Sequence, residues 1–195
     1  MRGLLLAGGL TLALAGCGAG HSARPAPVAS PPTTTPVAGP TASATQRAAG
    51  PVSAVPAGAL LSAADLGAGW SATRQQQVPC HAVVDADASR STAMRESRGT
   101  LTETLSTGTA VERAVAAWRG ALTRCGWAVR DDPLGDAGLH ARSQDGADGV
   151  VVTGTEGVLI VLHAHGRLAA AQDELDSWAD LALGTSCVAA PDGCH

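Results

Sequence analysis

The sequence predicts an α+β domain in which helices pack on a mostly antiparallel sheet. Apolar residues recur every three or four positions over 111–125 and 168–183, as expected for helices that lie on a core. Strand patterns at 149–153 and 158–165 are separated by Gly154-Thr155-Glu156-Gly157, which is typical of a hairpin. Four cysteines after residue 17 are enough for two disulfides.

The first predicted element is a short helix. Ser62, followed by Asp65, matches an N-cap with an acidic third residue. Gly67 and Gly69 are expected to end that helix after one or two turns, because glycine favours helix termini. The segment 70–78 then reads as a short strand.

A strand and a longer helix follow. Leu101 and Leu105 alternate with threonines over 99–107, which predicts a strand with a polar face. Thr109 and Glu112 match a capping box. The next apolar residues form one helical stripe, and Gly126 is a plausible C-cap: Val111, Val115, Trp118, Leu122 and Cys125.

Two further strand segments, over 127–130 and 139–143, and the two strands of the hairpin described above precede the last helix. Residues 158–162 are apolar at every position, so this strand is predicted to be central and covered on both faces. The last helix is expected over 168–183 and to end at Gly184. Trp118 and Trp178 lie on helical apolar stripes and are predicted to be core residues.

The N-terminus has the pattern of an export signal. Arg2 precedes an uncharged run over 4–14, which is too short to span a membrane and long enough for a signal peptide. Leu14-Ala15-Gly16-Cys17 resembles the bacterial lipobox, which implies that the Cys17 thiol receives a diacylglycerol. Residues 1–17 are therefore interpreted as signal peptide and lipobox, and the protein as lipid-anchored on the extracytoplasmic face of the cell membrane. An ordinary secretory peptide with an unmodified cysteine remains the alternative.

Residues 18–57 are predicted to be a disordered linker. They hold eight of the eleven prolines, mixed with Ala, Thr and Ser, and they show no apolar periodicity. Such a segment buries too little surface to offset the entropy of ordering. The folded domain is expected over 58–195.

The four remaining cysteines predict two disulfides, because exported chains meet oxidising conditions. Of the three possible pairings, Cys80–Cys125 and Cys187–Cys194 are favoured, the second because it closes a short turn. The alternative is a zinc site made by Cys80-His81 and Cys194-His195, but adjacent ligands have poor zinc geometry. The sequence therefore predicts no metal and no cofactor.

These features together resemble a known family. The lipobox and Pro/Thr stalk are followed by Leu60-Leu61-Ser62-Ala63-Ala64-Asp65-Leu66-Gly67, and later by Trp118-Arg119-Gly120-Ala121-Leu122-Thr123-Arg124-Cys125. A Val-rich hairpin at 149–165 and a final amphipathic helix complete the pattern. Over roughly 58–190 the chain resembles the extracellular sensor domain of the actinobacterial kinase PknH and its lipoprotein relatives. The resemblance implies a central antiparallel sheet, two disulfides and a cleft that senses or binds an unidentified small molecule.

The charge distribution and the absence of known catalytic motifs argue against two classes of function, nucleic-acid binding and catalysis. The formal charge is −4 and the arginines are scattered singly, which argues against nucleic-acid binding. No Gly-x-Ser-x-Gly elbow or His-Glu-x-x-His helix occurs, so the chain is interpreted as a binding or sensor module rather than an enzyme. Its expected partners are the membrane, through the lipid anchor, and an unknown small molecule or envelope protein. A hydrolase with an unrecognised active site and a structural envelope protein remain alternatives.

The candidate ligand site is predicted on the sheet. If the helices cover one sheet face, polar strand side chains must point away from it, and six residues are predicted to line one concavity there: Thr102, Thr104, His140, Arg142, His163 and His165. His163 and His165 share a strand face and could form a metal pair, but a strand end near solvent is the preferred interpretation. A plain solvated sheet face is the alternative to the whole site.

Overall fold

The computed structural model describes residues 54–132, 134–155 and 157–188. The predicted signal peptide with its lipidated Cys17, residues 18–53 of the predicted linker, and Cys194 lie outside the described residues. In the described ranges, no helix is both long and apolar enough to cross a membrane.

The described residues form three α-helices and seven strands. The helices are α1 (Ala63–Leu66), α2 (Val111–Arg124) and α3 (Gln172–Ser186). The strands are β1 (Ser71–Ala72), β2 (Ala88–Glu96), β3 (Gly99–Thr107), β4 (Ala128–Asp132), β5 (Ala137–Arg142), β6 (Asp148–Thr155) and β7 (Val158–Gly166). Neighbouring strands pair antiparallel in one sheet of order β1-β2-β3-β7-β6-β5-β4, which confirms the predicted α+β class.

The beginning of the domain follows the predicted signals in part. The Ser62 hydroxyl and backbone N–H both donate to Asp65 Oδ2, at 2.6 and 2.7 Å, so the predicted cap of α1 is confirmed. Val55 is already buried in the core, three residues before the predicted start of the domain. The strand predicted over 70–78 shrinks to Ser71–Ala72.

Strand β2 was not predicted from the sequence. Its residues are mostly Ser, Arg, Thr and Ala, and only Ala93 and Met94 are buried. It nevertheless pairs with β3 along its whole length, from Ala88 opposite Thr107 to Glu96 opposite Gly99. Main-chain pairing therefore defines this strand, and apolar alternation could not reveal it.

Helix α2 matches its predicted span, but its N-terminus does not match the predicted capping box. The N-cap is Ala110, without a side-chain cap, and the Thr109 hydroxyl is buried without a hydrogen-bond partner among the described residues. The Thr109 N–H instead donates to Gly157 O at 3.0 Å, which ties this residue to the β6–β7 turn. At the other end Gly126 has a φ of 78°, as a C-terminal glycine should.

Helix α3 is shifted towards the C-terminus relative to its prediction. Residues 167–170 form a separate 3-10 turn, and the helix continues through Gly184 instead of ending there. Trp118 of α2 is 6% exposed, which confirms it as a core residue. Trp178 of α3 is only half-buried, and its ring meets the ring of Trp70 edge-on with centroids 5.3 Å apart.

The two long helices cover opposite faces of the sheet. Helix α2 packs on the face that carries Leu139, Val150 and Val161, here called the α2 face. Helix α3 packs on the face that carries Val151, Ile160 and Leu162, here called the α3 face. The prediction that both helices cover one face is therefore wrong. Every residue of β7 from Val158 to Ala164 is buried, because apolar side chains of this central strand point both ways.

One disulfide lies wholly within the described residues. Cys80 and Cys125 are bonded, with their Cα atoms 6.1 Å apart, which confirms that predicted pairing. The bond fixes the segment before β2 to the end of α2, on the α2 face. It also excludes the two-Cys, two-His zinc alternative, because the Cys80 sulfur is already bonded.

Candidate functional site

The six predicted site residues divide between the two sheet faces. Thr102 pairs with His163, and these residues lie on the α2 face with Thr104 and His165. His163 pairs with Val150 of β6, and Val150 pairs with Ala141 of β5, so Ala141 also lies on the α2 face. Its neighbours in the strand, His140 and Arg142, therefore point to the α3 face. The predicted single concavity is therefore wrong, because an offset of one residue along a strand moves a side chain to the other face.

The histidines of β7 are engaged by one carboxylate. Asp148 Oδ1 lies 2.9 Å from His163 Nε2 and 2.8 Å from His165 Nδ1. His163 is 2% exposed, and burial lowers the pKa of its imidazole although the Asp148 carboxylate opposes that shift. The Thr104 hydroxyl is hydrogen-bonded to the Ser91 hydroxyl at 2.8 Å. Three of the four predicted residues on this face are thus already paired within the protein.

A cleft on the α3 face, at the β4 edge of the sheet, holds the other two predicted residues. Arg130 of the edge strand β4 pairs with His140, and Ala128 pairs with Arg142, so their alternating side chains share the α3 face. The first turn of α3 lies over them. The resulting edge cleft has a volume of about 310 Å³ and is lined by Ala128, Arg130, His140, Ala141, Arg142 and Gln172.

The outer part of the edge cleft is cationic. Arg130 and Arg142 are exposed, and neither guanidinium is paired with a carboxylate or hydrogen-bonded in the described part of the chain. A guanidinium offers donors in a planar fork that matches carboxylate and phosphate oxygens. The two arginines are therefore available to a ligand.

A compact polar cluster adjoins the edge cleft through His140 and Gln172. His140 Nε2 lies 3.1 Å from Asp176 Oδ1 and also contacts Asp132 Oδ2. The Gln172 amide nitrogen lies 3.0 Å from Asp176 Oδ1 and contacts His140 Nδ1. The side chains of His140 and Asp132 are 10% and 9% exposed, whereas that of Asp176 is 41% exposed.

Sequence reasoning found only part of this cluster. Asp132 follows the predicted strand 127–130 in the stretch Asp131-Asp132-Pro133, a composition typical of a turn, where Asp is common for backbone reasons. Asp176 lies on the polar side of the last predicted helix, where charged residues are ordinary. No spacing in the sequence links them, because they meet only through the tertiary contact of α3 side chains with His140.

A further titratable group is buried away from the edge cleft. Glu103 of β3 is fully buried on the α3 face, where its Oε2 accepts the Leu61 N–H at 2.7 Å. Burial raises the pKa of this carboxyl to about 7. The sequence analysis did not single it out.

Comparison of the chain with protein-family models, curated proteins and solved structures found no match in any of the three. The resemblance to the PknH sensor domain therefore rests on the sequence motifs alone. The function has to be argued from the site itself.

Proposed function

We propose that this protein is a lipid-anchored extracytoplasmic binding protein whose folded domain takes up a small anionic ligand in the edge cleft. The observation that carries the proposal is the pair of unpaired guanidiniums, Arg130 and Arg142, beside His140 in one cavity. Their planar donors favour a carboxylate or a phosphate ester.

The size of the edge cleft suits such a ligand. Small-molecule sites usually have volumes of about 300–1,000 Å³, and this cleft, at about 310 Å³, lies at the small end. Its lining combines two cations, an imidazole and the Gln172 amide with two alanines. Few polar groups that converge on a small space favour a compact polar molecule over a long apolar one.

The hydrogen-bond partners of the histidines favour a binding protein over a hydrolase. Among the described residues, no serine or threonine hydroxyl is hydrogen-bonded to a histidine ring; His140, His163 and His165 all contact carboxylates. A nucleophile and base in hydrogen-bond reach are the usual mark of acyl-transfer enzymes. The cleft supplies recognition groups without that pair.

The ligand proposal is tested by thermal and calorimetric titration with phosphate esters and small carboxylates. We expect saturable binding of at least one anion class, and an affinity about tenfold weaker in both Arg130→Ala and Arg142→Ala, because a charge-assisted hydrogen bond contributes about 1.5–3 kcal/mol. Arg113→Ala is the matched control, since this exposed arginine belongs to α2 on the other face. Equal losses in all three variants, or no saturable anion, would refute the proposal.

The anchor is tested separately. The Leu14-Ala15-Gly16-Cys17 site predicts that Cys17 carries the lipid. Cys17→Ser should move the protein from the detergent phase to the aqueous phase, because two or more acyl chains are needed for stable membrane attachment. A variant that still partitions like the parent would contradict the anchor.

A further inference from the structure

The geometry points to a divalent transition-metal site formed by Asp132, His140 and Asp176, which adjoins the edge cleft through His140. Each residue offers one ligand atom, and these atoms all lie within 4.8 Å of one another. The site extends the proposed function, because it shares His140 with the cleft that holds the proposed anion site. It goes beyond that function in assigning a second ligand of different chemistry.

The donor set suits a borderline metal ion. One imidazole nitrogen and two carboxylate oxygens are ligands typical of Zn²⁺ and its first-row neighbours. Asp132 and His140 come from the adjacent strands β4 and β5, and Asp176, whose side chain reaches the His140 ring, comes from α3. Ligands on three regular elements are held more firmly than ligands on loops.

Two carboxylates share one ring nitrogen in this cluster. A neutral imidazole has a single N–H, yet both Asp132 Oδ2 and Asp176 Oδ1 converge on Nε2 of His140. Asp132 is the most constrained of the three residues, because its side chain is nine-tenths buried and its Oδ2 faces the His140 ring. Its other oxygen, Oδ1, accepts the Leu134 N–H at 3.0 Å, which fixes the carboxylate plane and leaves Oδ2 directed at His140. A cation that accepts lone pairs from all three atoms satisfies each of them.

Gln172 is a positioning residue for this site. Its amide nitrogen donates to Asp176 Oδ1 at 3.0 Å and also contacts the His140 ring. The hydrogen bond holds the Asp176 carboxylate beside the imidazole. Carboxylates that bind metals are generally hydrogen-bonded in this way, which fixes their orientation.

Three protein ligands leave at least one coordination position open. In four-coordinate zinc sites, the combination of three protein ligands and a free position allows an external ligand to bind. Arg130 and Arg142 lie in the same cleft. His140 belongs both to the cleft and to the metal site, so we expect an anion held by the arginines to take that position, and metal and anion to strengthen each other's binding.

The test is titration of the full-length protein, purified in detergent and stripped with a chelator, with Co²⁺ and then with Zn²⁺ in competition. We expect one ion per chain, with the visible absorption bands of Co²⁺ bound by nitrogen and oxygen. His140→Ala should abolish these bands. Gln172→Ala should weaken binding by about 10–100-fold, the range found for groups that support a metal ligand. Asp176→Asn removes the charge of a ligand and should weaken binding at least as much.

The control is His165→Ala, which removes the exposed histidine from the other His–Asp cluster and leaves the proposed site intact. Circular dichroism checks that each variant is folded, and Asp176→Asn remains decisive if His140→Ala misfolds, because Asp176 lies at the surface. Parent-like affinity in Asp176→Asn and Gln172→Ala would overturn the inference, as would loss of the ion in His165→Ala or no Co²⁺ bands at all. Metal binding that persists in the Arg130→Ala and Arg142→Ala variants, without any anion binding, would support this site while refuting the proposed anion site.

Discussion

Glu103 is a carboxyl group in the apolar interior between the sheet and the N-terminal segment. Its neighbours across the adjacent strands are Thr92 and Leu162. The Leu61 N–H is bonded to one carboxyl oxygen, and the other oxygen has no partner among the described residues. Burial raises the pKa of Glu103 to about 7, and the nearby Asp65 carboxylate adds to the rise. The neutral acid is therefore the form that the fold favours.

The stability of the domain should fall as the pH rises through the titration of Glu103. The unfolded carboxyl titrates near 4.5 and the folded one near 7, so between these values the folded state binds more protons. The free energy of unfolding then decreases with pH, by about 3 kcal/mol in total. Glu103→Gln removes the charge while keeping an acceptor for Leu61, so it should be more stable than the parent at pH 8 and similar to it at pH 4.5.

Urea unfolding of parent and variant at several pH values measures this difference. Glu112→Gln, an exposed change on α2, is the control and should follow the parent at every pH. A parent and a Glu103→Gln variant that lose stability in parallel between pH 4.5 and 8 would show that Glu103 is not the group responsible.

The sequence predicts which side of β3 carries Glu103, but not what covers this residue. Strand alternation places Glu103 on the same side as Leu101 and Leu105, and all three are fully buried. That alternation cannot show that the segment around Leu61 folds back over the strand, because the contact joins residues 42 positions apart. A lone carboxyl in a strand pattern is therefore visible in the sequence, but its cover and its raised pKa are not.

Among the secondary-structure elements, the hairpin and the long helices were predicted from local sequence patterns. The predictions that were missed or wrong concern elements whose structure depends on contacts with other elements. The β6–β7 hairpin depends on adjacent residues and was confirmed. Strand β2 depends on its partner β3. Gly184 does not end α3: the helix runs on to Ser186, and a Cβ at position 184 would meet no other atom within 4 Å. A glycine is a helix stop only where the backbone turns left-handed.

Two glycines of different surroundings test this element-level interpretation. A Cβ at Gly99, at the start of β3, would lie 1.9 Å from the His165 carbonyl oxygen, whereas a Cβ at Gly184 would meet nothing within 4 Å. Gly99→Ala should cost about 3 kcal/mol, because the backbone of β7 must move. Gly184→Ala should stabilise by about 0.5–1 kcal/mol, because alanine loses less entropy in a helix.

The stability of each variant is measured by its chemical-unfolding midpoint relative to that of the parent. The sign of the two effects should differ. If Gly184→Ala destabilised the domain, α3 would not run through this position as described, and a harmless Gly99→Ala would mean that the β3–β7 pairing begins later than residue 99.

For the whole molecule, the sequence was sufficient for the fold class but not for the sides of the sheet. A helical stripe shows that a helix buries one face of itself, and it does not show which sheet face receives it. The strand register puts His140 and Arg142 on the α3 face and His163 and His165 on the α2 face. Asp132 and Asp176 meet at His140 only because side chains of α3 reach this ring, so the polar cluster is a tertiary feature that local patterns do not contain.

This two-faced arrangement predicts that the disulfide and the edge cleft are independent. Cys80–Cys125 closes a separation of 45 residues on the α2 face. By the loop-closure argument its removal costs about 4 kcal/mol, and measured losses are usually about 2–5 kcal/mol. The double change Cys80→Ala with Cys125→Ala should therefore lower the unfolding midpoint strongly.

Ligand and metal titrations below that midpoint should nevertheless match the parent, because the edge cleft lies on the α3 face and across the sheet from the bond. Thiol labelling of the denatured, unreduced parent should find no free cysteine, since export exposes all four domain cysteines to oxidation. Two labelled thiols per chain would contradict the predicted pairing. A disulfide-free variant that keeps its fold but loses anion or metal binding would show instead that the two faces are coupled through the sheet.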